Sequence, residues 1–489
     1  MTFGPKRGHI MFIFERLFRD FGLLIVYLLL YLIIRDVQIL YDNIALAVIA
    51  FLMPVKRLIE YLTTYYTIDH EKLTVKSGLF KKQLQEIPLA NITAVDFTQP
   101  LILQIAKAYS IHVENAVSLG NAAEGSVKIV LGAEDAVTVK KLLLAKQESY
   151  DVQVETPKTL ATYRASVVDI LLMGFFQVSL ANILIQSMAY LGIASGFLAG
   201  IIESSKGTAA ERLVMMIISN FGPVLLLQAA AAFLVLSFMI GMLISFVKYY
   251  GFRITDRGNS LFVEYGLITR KTHTVMKDKI SGLVYNQSLM MRIIKRGSLS
   301  VFAAGYGAID EDKQEETVLL YPVTAEAELY SFLEAVLPGF ADEPVYENAP
   351  GKALPYYFLC FRFIAAVLLL TGSLLIPAGF VIIRQCAVMI AGFLMIIAVV
   401  SVILENRNSA VSPDTKMIVM RNGGFRRKTT LLVRSKVEFA EDIASERKRR
   451  RTGAATLKVG ILAPNQYSTC KVRNMKIEAI DAVRSGLLY

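Results

Sequence analysis

The sequence predicts an integral membrane protein of three repeats, each a transmembrane helix pair followed by an α+β or mainly-β domain. Three observations carry that expectation: an apolar composition, uncharged runs of bilayer length, and an internal repeat in the polar stretches between them. Of 489 residues, 54% are hydrophobic and 19% charged, more apolar surface than a water-soluble fold of this size can bury. The mean hydropathy is +0.49.

About 20 apolar residues are needed to cross a bilayer core of about 30 Å. Four uncharged runs reach that length: Ile170 to Ile202, Leu213 to Val247, Phe363 to Ile383 and Gln385 to Leu404. Two shorter runs, Phe21 to Ile34 and Asn43 to Val55, read as a first hairpin if their flanking charges snorkel outward. Lys6, Arg7, Arg16 and Arg19 precede that pair and Lys56 and Arg57 follow it, so the positive-inside rule puts both ends in the cytoplasm. No cleaved signal peptide is expected, because the first apolar run lacks a small-residue cleavage site.

Between the runs lie polar segments in which apolar and polar residues alternate, punctuated by glycine, the pattern of β domains. A shift of 188 residues superposes Leu73, Val75, Gly78, Leu79, Ile87, Ile92, Gln99 and Leu101 on Leu261, Val263, Gly266, Leu267, Val275, Ile280, Gln287 and Leu289 without a gap. A further shift of 157 carries Gly266, Arg270, Lys271 and Thr272 onto Gly423, Arg427, Lys428 and Thr429. Each copy ends in an expected helix, at 136–147, 324–337 and 475–488. The resulting division is a hairpin over 1–64, a β domain over 65–150, a second hairpin over 163–249 with an outer interfacial segment at 187–222, a β domain over 250–340, a third hairpin over 354–404, and a basic, diverged β domain over 405–489. The central glycines, Gly78, Gly266 and Gly423, read as hairpin turns that need positive φ.

A strand, the Ser77-Gly78-Leu79 turn, a basic strand, then Ile87 to Asp96 and Gln99-Pro100-Leu101-Ile102-Leu103 resemble the bacterial pleckstrin-homology-like (PH-like) domain of the second type. The second copy keeps the frame but lacks the proline after Gln287, and the third has neither the glutamine nor the apolar turn. Three such domains alternating with membrane hairpins resemble the YdbT-type multi-pass membrane proteins of bacteria. The resemblance implies PH-like barrels or sandwiches closed by a C-terminal helix, a bacterial inner-membrane location, an envelope role without established catalysis, and pairing with a smaller membrane protein that has one PH-like domain.

Nothing in the chain reads as catalytic. GxxxxGK[ST] and GxSxG are missing, the four histidines are widely separated, and Cys360, Cys386 and Cys470 make no CxxC pair, so neither enzyme activity nor a metal or cofactor is expected. Gln177, Asn182, Gln186 and Gln228, inside apolar runs, read as amides that bond neighbouring helices. Charge is the sharper signal: from Glu405 onward stand 18 Lys and Arg against 8 Asp and Glu, ten of the chain's net +11. Arg447, Lys448, Arg449, Arg450 and Arg451 take the place of the apolar Met290, Met291, Ile293 and Ile294 of the second copy, and Arg426, Arg427 and Lys428 stand in the third hairpin. These eight are the candidate contacts to anionic lipid headgroups; Lys81, Lys82, Arg270 and Lys271 are the weaker counterparts in the earlier hairpins. The basic run lacks interleaved aromatics, so nucleic acid is not expected, nor is a small-molecule substrate. The functional expectation is a non-enzymatic inner-membrane scaffold whose cytoplasmic PH-like domains bind a protein partner, anionic lipid, or both, in envelope maintenance or stress protection. The alternative is a transporter or export component that uses the helix bundle.

Overall fold

A computed structural model describes residues 2–15, 25, 44–79, 82–89, 92–115, 126–148, 160–177, 228, 232, 235–303, 318–358, 360–375, 377, 381–413, 416–462 and 467–487. Strands β1 (Phe3–Arg7), β2 (Tyr65–Ile68), β3 (Lys72–Ser77) and β4 (Gln83–Pro88) form the first antiparallel sheet in sequence order. The second has seven strands: β5 (Ile92–Gln99), β6 (Ala108–Asn115) and β7 (Ser126–Gly132) of the first copy continue into β8 (Ala161–Arg164), β9 (Arg253–Asp256), β10 (Ser260–Tyr265) and β11 (Arg270–Met276) of the second, in the order β7-β6-β5-β11-β10-β9-β8. The third repeats the pattern one copy later. There β12 (Ile280–Gln287), β13 (Arg296–Ala303) and β14 (Val318–Ala325) join β15 (Glu347–Asn348), β16 (Ala410–Ser412), β17 (Met417–Asn422) and β18 (Arg427–Val433). The last sheet holds β19 (Val437–Ile443), β20 (Ala454–Leu462) and β21 (Tyr467–Lys476).

Each domain is thus two half-sheets packed face to face, and the domains are fused edge to edge by antiparallel pairing of β5 with β11 and of β12 with β18. The helices Ala133–Glu148, Leu329–Val336 and Ile477–Ser485 close the three units, with Val139, Leu333 and Ile480 turned into the cores. One strand of each domain precedes its apolar segment: β1, β8 and β15 pair with β2, β9 and β16, so each intervening segment leaves and returns to the same sheet.

The third sheet is covered on both faces. Met417, Val419 and Leu431 of the third domain complete the core around Leu283, Tyr285 and Leu299 of the second. On the opposite face, Val284 and Phe302 of the second domain belong to the core of the third, with Ile418, Met420 and Leu432. This is why Met417 to Met420 is a continuous apolar run instead of an alternating one. At about 1.5 to 3 kcal/mol for each fully buried large aliphatic side chain, the exchange makes the two domains one cooperative body.

The expected three transmembrane helix pairs are corrected. Among the described residues, one helix, Ile390–Asn408, is long and apolar enough to cross a membrane. Gly351–Tyr357 and Phe361–Leu374 reach that length only together, with a bend of 54° between them. Uncharged runs overstate continuous helix: Phe361–Leu374 stops at Leu375, two residues before Pro377, whose ring cannot extend a helix. The helices Val167–Phe176 and Val235–Tyr249 are shorter than a span, and Ile44–Thr63 carries Lys56, Arg57 and Glu60 in its second half. Most of the run from Phe21 to Ile34, the segment 187–222, and Asn182 and Gln186 lie outside the described residues, as does the side chain of Gln177; Gln228 is exposed.

Val284 is buried, whereas Glu441 occupies the matching place in the third copy and is exposed on β19. Val284→Glu therefore places an unpaired charge in the shared core and should cost about 3 kcal/mol or more, while Glu441→Val should be nearly neutral. Thermal unfolding of the full chain in detergent checks both.

Candidate functional site at the domain joints and the basic helix

The turns that start the docking strands need glycine. Gly78, Gly266 and Gly423 have φ of +104°, +112° and +106°, and a Cβ at Gly266 or Gly423 would lie 2.0 Å from the carbonyl oxygen of Thr269 or Arg426. Past the turn, the first residue of β18 is Arg427, opposite Gln287 at the end of β12. Gln287 is fully buried, and its Oε1 accepts from Arg427 Nε at 2.8 Å and from the Arg427 terminal nitrogen. Its Nε2 donates to the carbonyl of Arg296 at 3.1 Å, and Arg427 also pairs with Glu326 at 2.8 Å. Burial, and then the charge of Glu326, push the Tyr285 hydroxyl well above the usual tyrosine range. The joint is a closed polar knot in which each partner of Gln287 satisfies a buried group.

The first joint uses the same two positions. Arg270 stands opposite Gln99, whose Nε2 donates to the carbonyl of Ala108 at 3.1 Å. Beyond that, the joints differ. Asp96 and His273 are 1% and 7% exposed and meet across β5 and β11, with His273 Nδ1 3.0 Å from Asp96 Oδ1 and His273 Nε2 3.0 Å from the Tyr265 hydroxyl. The matching residues in the second joint are Val284 and Thr430, which lie opposite each other. The aligned ladder from Gln287 reaches Gly282, whereas that from Gln99 stops at Phe97, next to Asp96. Lys140 lies over both Phe97 and Phe262, and burial there lowers its pKa.

A short helix follows each inner strand: Leu101–Ile105, Leu289–Ile293 and Glu446–Thr452. The residue closing each turn has positive φ, Lys107, Lys295 and Gly453, which marks the three as one element despite the longer third copy. The third helix is capped by Ser445 Oγ, which accepts from Lys448 N at 3.4 Å. Its five cations are not equivalent. Lys448 lies over the Tyr356 ring at 5.9 Å, and burial, then Arg473, lower its pKa. Arg449 pairs with Asp442, and Arg450 with Glu446 at 3.6 Å. Arg447 and Arg451, four apart and therefore on one helix face, are exposed.

In the hairpins, Arg427 is held in the second joint, Lys428 lies over the Phe302 ring at 5.4 Å, and Arg426 is exposed in the turn. Arg270 and Lys82 are exposed, Lys271 stands opposite Thr98 in the first joint, and Lys81 lies outside the described residues. Sequence reasoning found the recurrent glutamine and arginine of the joints without pairing them, and it missed Asp96, His273 and Glu326. The absence of that glutamine from the third copy alone was the available clue, since β19 pairs only with β20 among the described residues.

The model of the bacterial PH domain matches residues 21–147 and 212–334, about half of the chain and the first two copies. The chain belongs to the bacterial PH domain family. The UPF0699 transmembrane protein YdbT of Bacillus subtilis (strain 168) is 22% identical over 330 residues, and the match spans 65% of either chain. No solved structure matches. The third copy lies outside the family match, and Val284 and Phe302 of its neighbour enter its core.

The joints make a specific expectation. His273→Leu leaves the buried Asp96 carboxyl facing an apolar side chain and should destabilise the chain by about 1 to 3 kcal/mol. The pair Asp96→Val with His273→Thr installs the residues of the second joint and should recover most of that loss in a double-mutant cycle.

Proposed function

We propose that this bacterial PH domain protein is a non-enzymatic membrane scaffold of the bacterial inner membrane. Three edge-fused PH-like domains face the cytoplasm and hold anionic lipid headgroups through the basic helix. The supporting observation is the shared third sheet: domains that exchange core residues cannot swing independently, so a ligand bound at one is held in register with the others. Rigid spacing suits a platform for a protein partner, and a smaller membrane protein with one PH-like domain fits that role in envelope maintenance or stress protection. The crowding of cations beside the apolar segments favours the cytoplasmic orientation.

Within the basic helix, Arg447 and Arg451 carry the lipid contact, because they stand exposed on one face while Lys448 lies against Tyr356, Arg449 is held by Asp442 and Arg450 is half neutralised by Glu446 of its own helix. Arg426, exposed in the third hairpin turn, is a further cation of the same domain. At about 1 kcal/mol per cation, the pair supplies about 2 kcal/mol, or roughly 30-fold in affinity.

The test uses the full chain in neutral detergent, because a fragment starting at Glu405 would lack Val284 and Phe302 from its core. Titration with short-chain phosphatidylglycerol should show binding that weakens as salt rises, and short-chain phosphatidylcholine should bind far less. Arg447→Gln with Arg451→Gln should lose most of the phosphatidylglycerol affinity. Equal binding by parent and variant removes the lipid part of the reading.

A further inference from the structure

The turns and short helices of successive copies gather at the ends of the apolar helices. Gly266 N and Leu267 N donate to the carbonyls of Tyr250 and Val247 at 2.8 and 3.0 Å, which seats the second turn on the end of the helix Val235–Tyr249. Asn408, the last residue of the membrane-length helix, donates through Nδ2 to the carbonyls of Gly423 and Gly424 at 2.6 and 3.1 Å. That bond seats the third turn the same way. A Cβ at Gly424 would lie 2.8 Å from the Ser401 carbonyl oxygen, so turn and helix are in direct contact.

The short helices of the first two copies lie beside these turns. Gln104 Nε2 donates to the carbonyl of Ile268 at 2.7 Å, linking the helix Leu101–Ile105 to the second turn. The ladder between β12 and β18 ends at Gln287 and Arg427, which places the helix Leu289–Ile293 beside the third turn. Both elements turn large apolar side chains outward: Ile105 is 78% and Ile293 71% exposed, and Leu101, Leu267, Ile268 and Met290 are exposed too. The third copy has arginines at this level, with its helix against Tyr356, just ahead of the helix Phe361–Leu374.

We infer that the helices Leu101–Ile105 and Leu289–Ile293, with the Leu267–Ile268 turn, are interfacial wedges that seat in the bilayer surface beside the membrane helices. Their occupant is lipid, because the helix ends to which they are bonded fix their height at the boundary where apolar side chains meet acyl chains. Tyr249, Tyr250 and Lys248 at one of those ends are the residue types of a membrane–water boundary. The third copy meets the same surface through charge. The three short helices thus form one row of anchors, two apolar and one basic, which sets the tilt of the fused domains over the membrane.

This inference rests on the membrane-anchored reading above, and its test separates the two. The chain contains no tryptophan, so a single introduced one is the sole indole reporter. Ile105→Trp, Ile293→Trp and Asn259→Trp are placed singly in the full chain, reconstituted in nanodiscs with lipids brominated near the headgroup. Asn259, in the turn at the far end of the β10–β11 hairpin, is about 20 Å from the membrane-side turn at about 3.3 Å per residue. The wedge positions should lose most of their emission to the bromines and Asn259→Trp should keep its own. Blue-shifted but unquenched emission at Ile105→Trp and Ile293→Trp means cover by protein and overturns the inference. Emission like that of Asn259→Trp means exposure to water and overturns it as well. If phosphatidylglycerol binding persists in either case, the anchored reading stands without the wedges.

Discussion

Antiparallel pairing between the inner strand of one PH-like domain and the post-turn strand of the next is the constraint on which the rest depends. It joins four half-sheets into two shared ones, and it determines which residues of each copy can be apolar on both faces. β12 and β17 are buried on both faces because their sheet separates two cores; β19, at the end of the series, alternates. A strand edge left bare is a site for unwanted pairing, and the two joints remove four such edges without an added element.

The two joints satisfy the same geometry by different chemistry. The fully buried Gln287 and the partly buried Arg427 tie the second joint with hydrogen bonds, and Val284 opposite Thr430 lets the ladder run on to Gly282. In the first joint Asp96 faces His273 where the aligned ladder stops, and Lys140 lies on Phe97 and Phe262 where the second joint interleaves aliphatic side chains. Buried polar groups contribute little net stability when paired and cost free energy when they are not, so Asp96 and His273 penalise mispairing of these strands more than they strengthen the joint.

The repeat, its turn glycines and its closing helices were legible in the sequence because they are local: a residue type at a fixed spacing, or an apolar period. The pairing of Gln287 with Arg427 was not, although both residues stood out at recurring positions, because it requires knowing that one copy's turn docks on the previous copy's edge. The five cations of the basic helix looked alike in the sequence and separate only when Asp442, Glu446 and Tyr356 are brought beside them. Hydropathy misled on the membrane helices for a related reason. It sums apolar residues and is blind to where Pro377 ends a helix or where a bend of 54° divides it.

The outer sheets of the described residues differ from the shared ones at the matching positions. In the second copy Gly282 on the inner strand faces Phe302, whose ring enters the core of the following domain. In the third copy the pair is inverted: Phe439 on β19 faces Gly460, and a Cβ at Gly460 would lie within 2.1 Å of that ring. The aromatic ring thus folds back over its own sheet, and Lys458 covers it at 5.1 Å while pairing with Glu441 at 3.1 Å. At the other end, Lys72 and Glu86, paired at 2.7 Å, hold the places that Met417 and Leu431 fill in the third domain. Both outer faces are polar, as terminal units of a repeat array must be to stay soluble and finite. Against that end the basic helix is not an isolated patch. Asp442, at the place of the buried Tyr285, takes Arg449 and Arg484, so the substitution that makes the outer strand polar also ties the basic helix to the closing helix Ile477–Ser485.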